Sequence, residues 1–374
     1  MSTGPAVETR ASWLPLAVVM LAQVQLAFNA WNVSITGITE DLGISPTTVG
    51  LANTASTFAV SAFLLLGAKI TAKIGPVLAF RIGVIIPALA ALLIATAQDG
   101  SVLFIAQSIT GASNAITLPA LTIIIAASFK GKQQASAIGY FAASIPLAQV
   151  VSLLIAGQFA STIGWRWSFV LVASIGLLNF ALSFLLKPVP PQKNLIVDWT
   201  GGVLAATSII LISFGMSVMN DWGLVTATSN APIALGDFSI VPFFFVAAVI
   251  FAQLFLSRTR KRMAEQKVPL VNLDIVRNPS ERATITVMGL MLFVGTAVSF
   301  LMPLYMQVVQ GFVGIQVSFA VIPYTISIFI ANTLVSRLYG RFAPRSIASV
   351  SMTVVALALL WLSFTIANDW GQIS

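Results

Sequence analysis

The 374-residue chain is 58% hydrophobic and only 8% charged, with a mean hydropathy of +0.97, which excludes a water-soluble domain, where about a quarter of residues carry charge. It contains no cysteine and no histidine, which removes disulfides, thiolate nucleophiles, imidazole bases and most zinc sites. Its net charge of +8 therefore has to be read against a bilayer rather than as a nucleic-acid signal.

Apolar runs of about 20 residues, long enough to cross a ~30 Å hydrocarbon core, recur along the chain. They fall at 13–37, 48–67, 77–97, 101–127, 135–159, 167–186, 199–219, 238–257, 284–306, 315–336 and 346–367, giving eleven candidate spans. The first is too long for the apolar core of a signal peptide and lacks a small-residue cleavage site, so it reads as a retained helix. With a cytoplasmic N-terminus, 18 of the 19 basic residues fall on the inner side and only Arg166 on the outer, as the positive-inside rule demands of a cell-membrane protein. The Arg258–Arg262 cluster reads as a stop signal at the inner face, with an anionic-lipid patch as the lesser alternative. An odd number of spans puts the end of this sequence, with Asp369, on the outer side.

The first span carries Gln25, Asn29, Asn32 and Thr36 at offsets of 0, 4, 7 and 11, one stripe on a helix. The fourth carries Gln107, Thr110, Asn114 and Thr117 in the same way. Amides are unfavourable against lipid, so both stripes are expected to face a bundle interior, either lining a cavity or binding one another across a packed interface. Asn53, Ser56 and Gln149 are supporting candidates. Gly139, Pro146, Pro303 and Pro323 read first as ordinary kinks and second as hinges. Phe243, Phe244 and Phe245 are expected to face lipid. All eleven acidic residues lie in connections or near helix ends, leaving no carboxylate deep in a span.

Several short stretches resemble the major facilitator superfamily, and within it the 14-helix drug:proton antiporter subfamily. Gly164-Trp165-Arg166-Trp167-Ser168-Phe169 is similar to its G-W-R-W-x-F signature, and Asp198-Trp199-Thr200-Gly201 to the D-W-x-G that opens the two extra helices. Residues 269–278, PLVNLDIVRN, are similar to P-L-x-x-L-x-x-F-R-N. Pro303-Leu304-Tyr305-Met306-Gln307 and Val321-Ile322-Pro323 fall where the family has P-L-Y-x-Q and L-L-P. The resemblance implies an all-α integral membrane fold: a six-helix N-terminal bundle (1–187), two inserted helices (188–262), and three helices of a C-terminal bundle (263–374). Relative to the family pattern the last three helices are absent, so a shortened form of a 14-helix protein is expected rather than a natural eleven-helix machine. It also implies that helices one, two, four and five border a central cavity, which tips the two polar stripes toward lining; Gln307 joins these pathway candidates.

The family's coupling residues are replaced. The D-x-T-x-x-N of the first helix falls on Ala27 to Asn32, without the acid. G-x-L-x-D-R-x-G-R falls on Ala68 to Pro76, with Ala72 for Asp, Lys73 for Arg, and Gly75 intact. The buried Arg of the fourth helix falls on Gln107, with Gly111 retained, and the fifth helix keeps only Pro146 of G-P-x-x-G-G. The expectation is a secondary transporter exporting small apolar or amphipathic compounds, with ordinary proton antiport disfavoured. The alternative is a truncated or non-transporting relative acting as scaffold or partner. The expected partners are the bilayer and a small-molecule substrate; a membrane-fusion protein extending the route stays open. No paired carboxylates, metal cluster or activated nucleophile can be assembled, so neither enzymatic activity nor a cofactor is expected.

Overall fold

The computed structural model describes residues 12–28, 30–229, 231, 233–308, 310–312, 314–338 and 342–365. Long helices dominate: α1 (Leu14–Ala27), α2 (Ala30–Leu42), α3 (Pro46–Ile74), α4 (Pro76–Ala95), α5 (Gly100–Ser128), α6 (Gly131–Thr162) and α7 (Trp165–Leu182). A 3₁₀ turn, Ser183–Leu185, closes α7. Then come α8 (Trp199–Trp222), a two-stranded hairpin (Ala234–Leu235 with Phe238–Ser239), α9 (Val241–Ala264), the single turn α10 (Asp274–Arg277), α11 (Pro279–Val308), α12 (Gly314–Leu338) and α13 (Pro344–Thr365). Nine of the described helices are long and apolar enough to cross a membrane, and α1 and part of α12 are shorter apolar helices.

The helices start where local chemistry stops the chain. Ser45 accepts a hydrogen bond from the Thr48 N–H, with Pro46 behind it, and Asp99 accepts from the N–H groups of Ser101 and Val102. Each cap satisfies donors that the first helical turn leaves free. Gly75, at φ +101°, makes the abrupt turn from α3 into α4, a conformation L side chains rarely adopt.

One expectation is corrected here. The first span is two helices, because the chain leaves helical geometry at Phe28 (ψ 99°) and resumes at Ala30. Hydropathy averages over such a break and does not register it.

α3 packs along α5, α4 lies between α5 and α7, α1 and α2 lie against α6 and α7, and α12 packs on α6. Without a hydrophobic driving force inside lipid, close approach through small residues does this work. A Cβ added at Gly111 would fall on the backbone carbonyl of Ser56, and one at Gly67 on that of Ala115. The apolar core of α1–α7 comes in two parts. One gathers Leu16, Val19, Phe80, Leu121, Ile125 and Phe129 at the basic end; the other gathers Trp31, Ile38, Val49, Ile94, Leu103 and Phe169 at the opposite end. A polar layer lies between them. The aromatic row 243–245 also departs from expectation: Phe243 is exposed, but the Phe244 ring packs edge-on to Phe214 at 5.3 Å and Phe245 lies against Gly215, so these two serve the α8–α9 contact.

Candidate functional site

Between the two apolar parts is a cavity of about 300 Å³. α5 contributes Gln107, Thr110, Asn114 and Thr117, the stripe expected from spacing, because that helix runs unbroken past its internal Pro119. Gln25 comes from α1, Asn53 and Ser56 from α3, and Gln149 from α6. The rest of the wall is Thr57 and apolar residues, chiefly Trp31, Pro87, Ile94, Phe169 and Val172. No charged side chain lines it among the described residues.

The amides differ in what they hold. Gln25 donates from Nε2 to the Val84 carbonyl at 3.0 Å, tying α1 to α4. Pro87 lacks the N–H that would have reached the Gly83 carbonyl; the Ser113 hydroxyl approaches that carbonyl at 3.5 Å instead. Asn114 Oδ1 is buried with no partner among the described residues, and Gln107, also buried, lines the same space. A buried amide oxygen left unpaired costs about 1–3 kcal/mol, a cost that a hydrogen-bonding guest or water would relieve. At the far end the Trp31 indole donates to the Val49 carbonyl at 3.2 Å and meets Phe169 edge-on at 5.7 Å.

The α1 stripe does not survive intact. The break at Phe28 resets its phase: Gln25 lines the cavity, whereas Thr36 is exposed and does not. Asn29 and the side chains of Asn32, Pro303 and Gln307 lie outside the described residues. Trp31, Pro87, Phe169 and Val172 also line the cavity, although none of them is among the pathway candidates expected from sequence. Only Pro87, a proline inside an apolar run, gives a local signal.

The other expected residues lie elsewhere. Pro146 is buried inside α6. Arg166, at the start of α7, pairs with Asp41 of α2, donates to the Ala97 carbonyl at 2.9 Å and lies over the Trp165 ring, while the Trp165 indole donates to Asp41 at 3.0 Å. This staples three connections at the rim opposite the basic end. Lys73 and Gly75 stand at the basic end, where the Gln192 N–H donates to the Ala72 carbonyl at 2.8 Å. Asp198, 3% exposed, accepts from the Gly201 N–H at 3.1 Å and pairs with Arg258 at 2.9 Å and Arg262 at 3.5 Å, clasping the start of α8 to the end of α9. Burial pushes its pKa up, but the Arg258 hydrogen bond, the Gly201 N–H and the two guanidinium charges together hold it below the ordinary carboxylate value.

The sequence matches the Major Facilitator Superfamily model over residues 17–373, and the chain belongs to that family of membrane transporters. Among its relatives, the MFS-type transporter EfpA of Mycobacterium tuberculosis (strain ATCC 25618 / H37Rv) is 25% identical over 363 residues, covering 94% of this chain and 65% of EfpA. Puromycin resistance protein pur8 of Streptomyces alboniger is 24% identical over 357 residues, covering 94% of this chain and 67% of pur8. The chain thus spans just under two thirds of the length of EfpA. A crystal structure of the peptide transporter POT in complex with sulfate superposes with a TM-score of 0.57 at 12% identity, covering 88% of this chain and 70% of POT, a likeness of fold.

Proposed function

We propose that the chain is the translocating part of a secondary transporter that exports small, neutral, apolar or amphipathic compounds by alternating access, with the cavity of α1–α7 as its substrate-binding wall. One observation carries this reading: the cavity offers the unpaired Asn114 amide oxygen on a wall that mixes amides, hydroxyls and apolar side chains, with no fixed charge among the described residues. An uncharged site supplies no counter-ion for a quaternary ammonium and no cation for an acid, whereas a neutral solute satisfies Gln107 and Asn114 while its apolar part meets Trp31 and Phe169. The resistance relative supports the outward direction. The lack of an acid deep in any span argues against ordinary proton antiport. We assign the cell membrane, a cytoplasmic N-terminus, and the division into 1–187, 188–262 and 263–374.

The test is efflux of a neutral lipophilic fluorophore and of a quaternary ammonium dye from cells making the protein, with and without a protonophore. Preferential, protonophore-indifferent efflux of the neutral dye is expected. Gln107→Ala and Asn114→Ala each remove a hydrogen bond and are expected to raise the neutral dye's KM about 2- to 12-fold. Preference for the cation would overturn the neutral-site reading, and efflux abolished by the protonophore would overturn the reading of coupling.

A further inference from the structure

A second crevice, of about 380 Å³, lies at the basic end and is lined by Ile70, Lys73, Ile74, Lys193 and Trp199. Three elements make it: the end of α3, the connection after α7, and the first residue of α8. Their relative position is fixed by the Gln192–Ala72 backbone bond and by Pro191, which lies against Gly75. Beside it a small apolar core of Leu66, Val197 and Leu270 packs the connections before α8 and after α9 onto α3.

The charge at this crevice is unbalanced. The ion pairs among the described residues join Arg166 to Asp41, Asp198 to Arg258 and Arg262, Lys267 to Glu265, and Arg277 to Asp274; neither Lys73 nor Lys193 takes part. The adjoining carboxylate, Asp198, is buried and already occupied by two arginines. Two lysine side chains thus border one opening whose surface is otherwise Ile70, Ile74 and Trp199, the last of them exposed. Trp199 is also the first residue of a membrane-crossing helix, the depth at which indoles sit among lipid headgroups.

We propose that this crevice binds an anionic phospholipid, its phosphodiester between Lys73 and Lys193 and the upper part of an acyl chain along Ile70, Ile74 and the Trp199 ring. The paired cations select the anionic headgroup, and the apolar floor selects a lipid over a free anion. Because the lipid bridges α3 to the connection that leads into α8, its occupancy strengthens the contact between the first helices and the inserted pair. This site is independent of the substrate cavity.

The experiment titrates delipidated full chain in detergent with fluorescently labelled phosphatidylglycerol, with labelled phosphatidylcholine alongside. Each lysine near an anionic surface is worth about five-fold, so Lys73→Gln and Lys193→Gln together are expected to weaken phosphatidylglycerol binding ~25-fold and leave phosphatidylcholine unchanged. K73R/K193R should retain binding, which separates charge from misfolding. K130Q/R260Q, which removes two exposed charges elsewhere on the same end, should bind as the unmodified chain does. Equal loss in that control would reduce the effect to general surface charge and overturn the site, as would unchanged binding in K73Q/K193Q. Displacement of the labelled lipid by inorganic phosphate at millimolar concentration would show a free-anion site and overturn the lipid assignment.

Discussion

At the scale of single residues, the molecule spends its polar groups sparingly and in places that matter. The polar stripe of α5 was legible because a continuous helix keeps positions three and four apart on one face. Gln25 was legible for the same reason, and Thr36 was misread because the chain breaks between them. Gly111 shows the opposite use of a small residue, since its absent side chain lets α5 touch the backbone of α3 at Ser56. Gly111→Val is expected to destabilise the protein by about 1–3 kcal/mol through overpacking, seen as a lower thermal midpoint in detergent, whereas the same change at Gly139, where a Cβ meets open space, should do far less. Equal effects at the two positions would show that close α3–α5 approach is not what Gly111 provides.

At the scale of elements, two joints hold the helices in order, and both are electrostatic contacts outside the apolar spans. The Arg166–Asp41–Trp165 staple closes one rim, and the Asp198 clasp ties α8 to α9. The clasp joins residues 60 positions apart, which is why sequence alone showed only a motif there. Asp198→Asn leaves Arg258 and Arg262 without their counter-ion and weakens the α8 cap, so a loss of about 2–4 kcal/mol is expected. Because the native pKa lies below the ordinary value of 3.8, the clasp's contribution is full above that value and is lost as pH falls below it through the depressed native value. A thermal-melt series down to pH 3 should therefore show a steeper acid loss in the unmodified chain than in D198N. Parallel acid profiles would remove the carboxylate from this role.

At the scale of the whole molecule, antiparallel packing gathers Lys69, Lys73, Arg81, Lys130, Lys187, Lys193 and the α9 cluster at one end, and Asp41, Asp99, Arg166, Asp221 and Asp237 at the other. The proposed orientation puts the basic end in the cytoplasm, as the positive-inside rule expects of such an asymmetry. The chain has no cysteine, so single cysteines report it cleanly. Lys187→Cys is expected to react with an impermeant maleimide only after permeabilisation, and Asp237→Cys in intact cells; the reverse pattern would invert the topology. α11 and α13 bury none of their apolar spans among the described residues, in contrast to α4, where 56% of the span is buried.

The sequence by itself determined that this is a membrane protein, where nearly every span lies, and that Gln107, Thr110, Asn114 and Thr117 share one face of their helix. Length against bilayer thickness and the period of the helix are local properties, written in consecutive residues. Tertiary structure alone decided that the first span is broken at Phe28, that Gln25, Asn53, Gln107, Asn114 and Gln149 meet in one cavity with Trp31, Pro87 and Phe169, and that Asp198 is claimed by Arg258 and Arg262, leaving Lys73 and Lys193 without an ion pair among the described residues. Those facts depend on which helix lies beside which. In lipid that choice is made by close van der Waals fit and by pairing of the few buried polar groups, and neither is encoded in the hydropathy of any one segment.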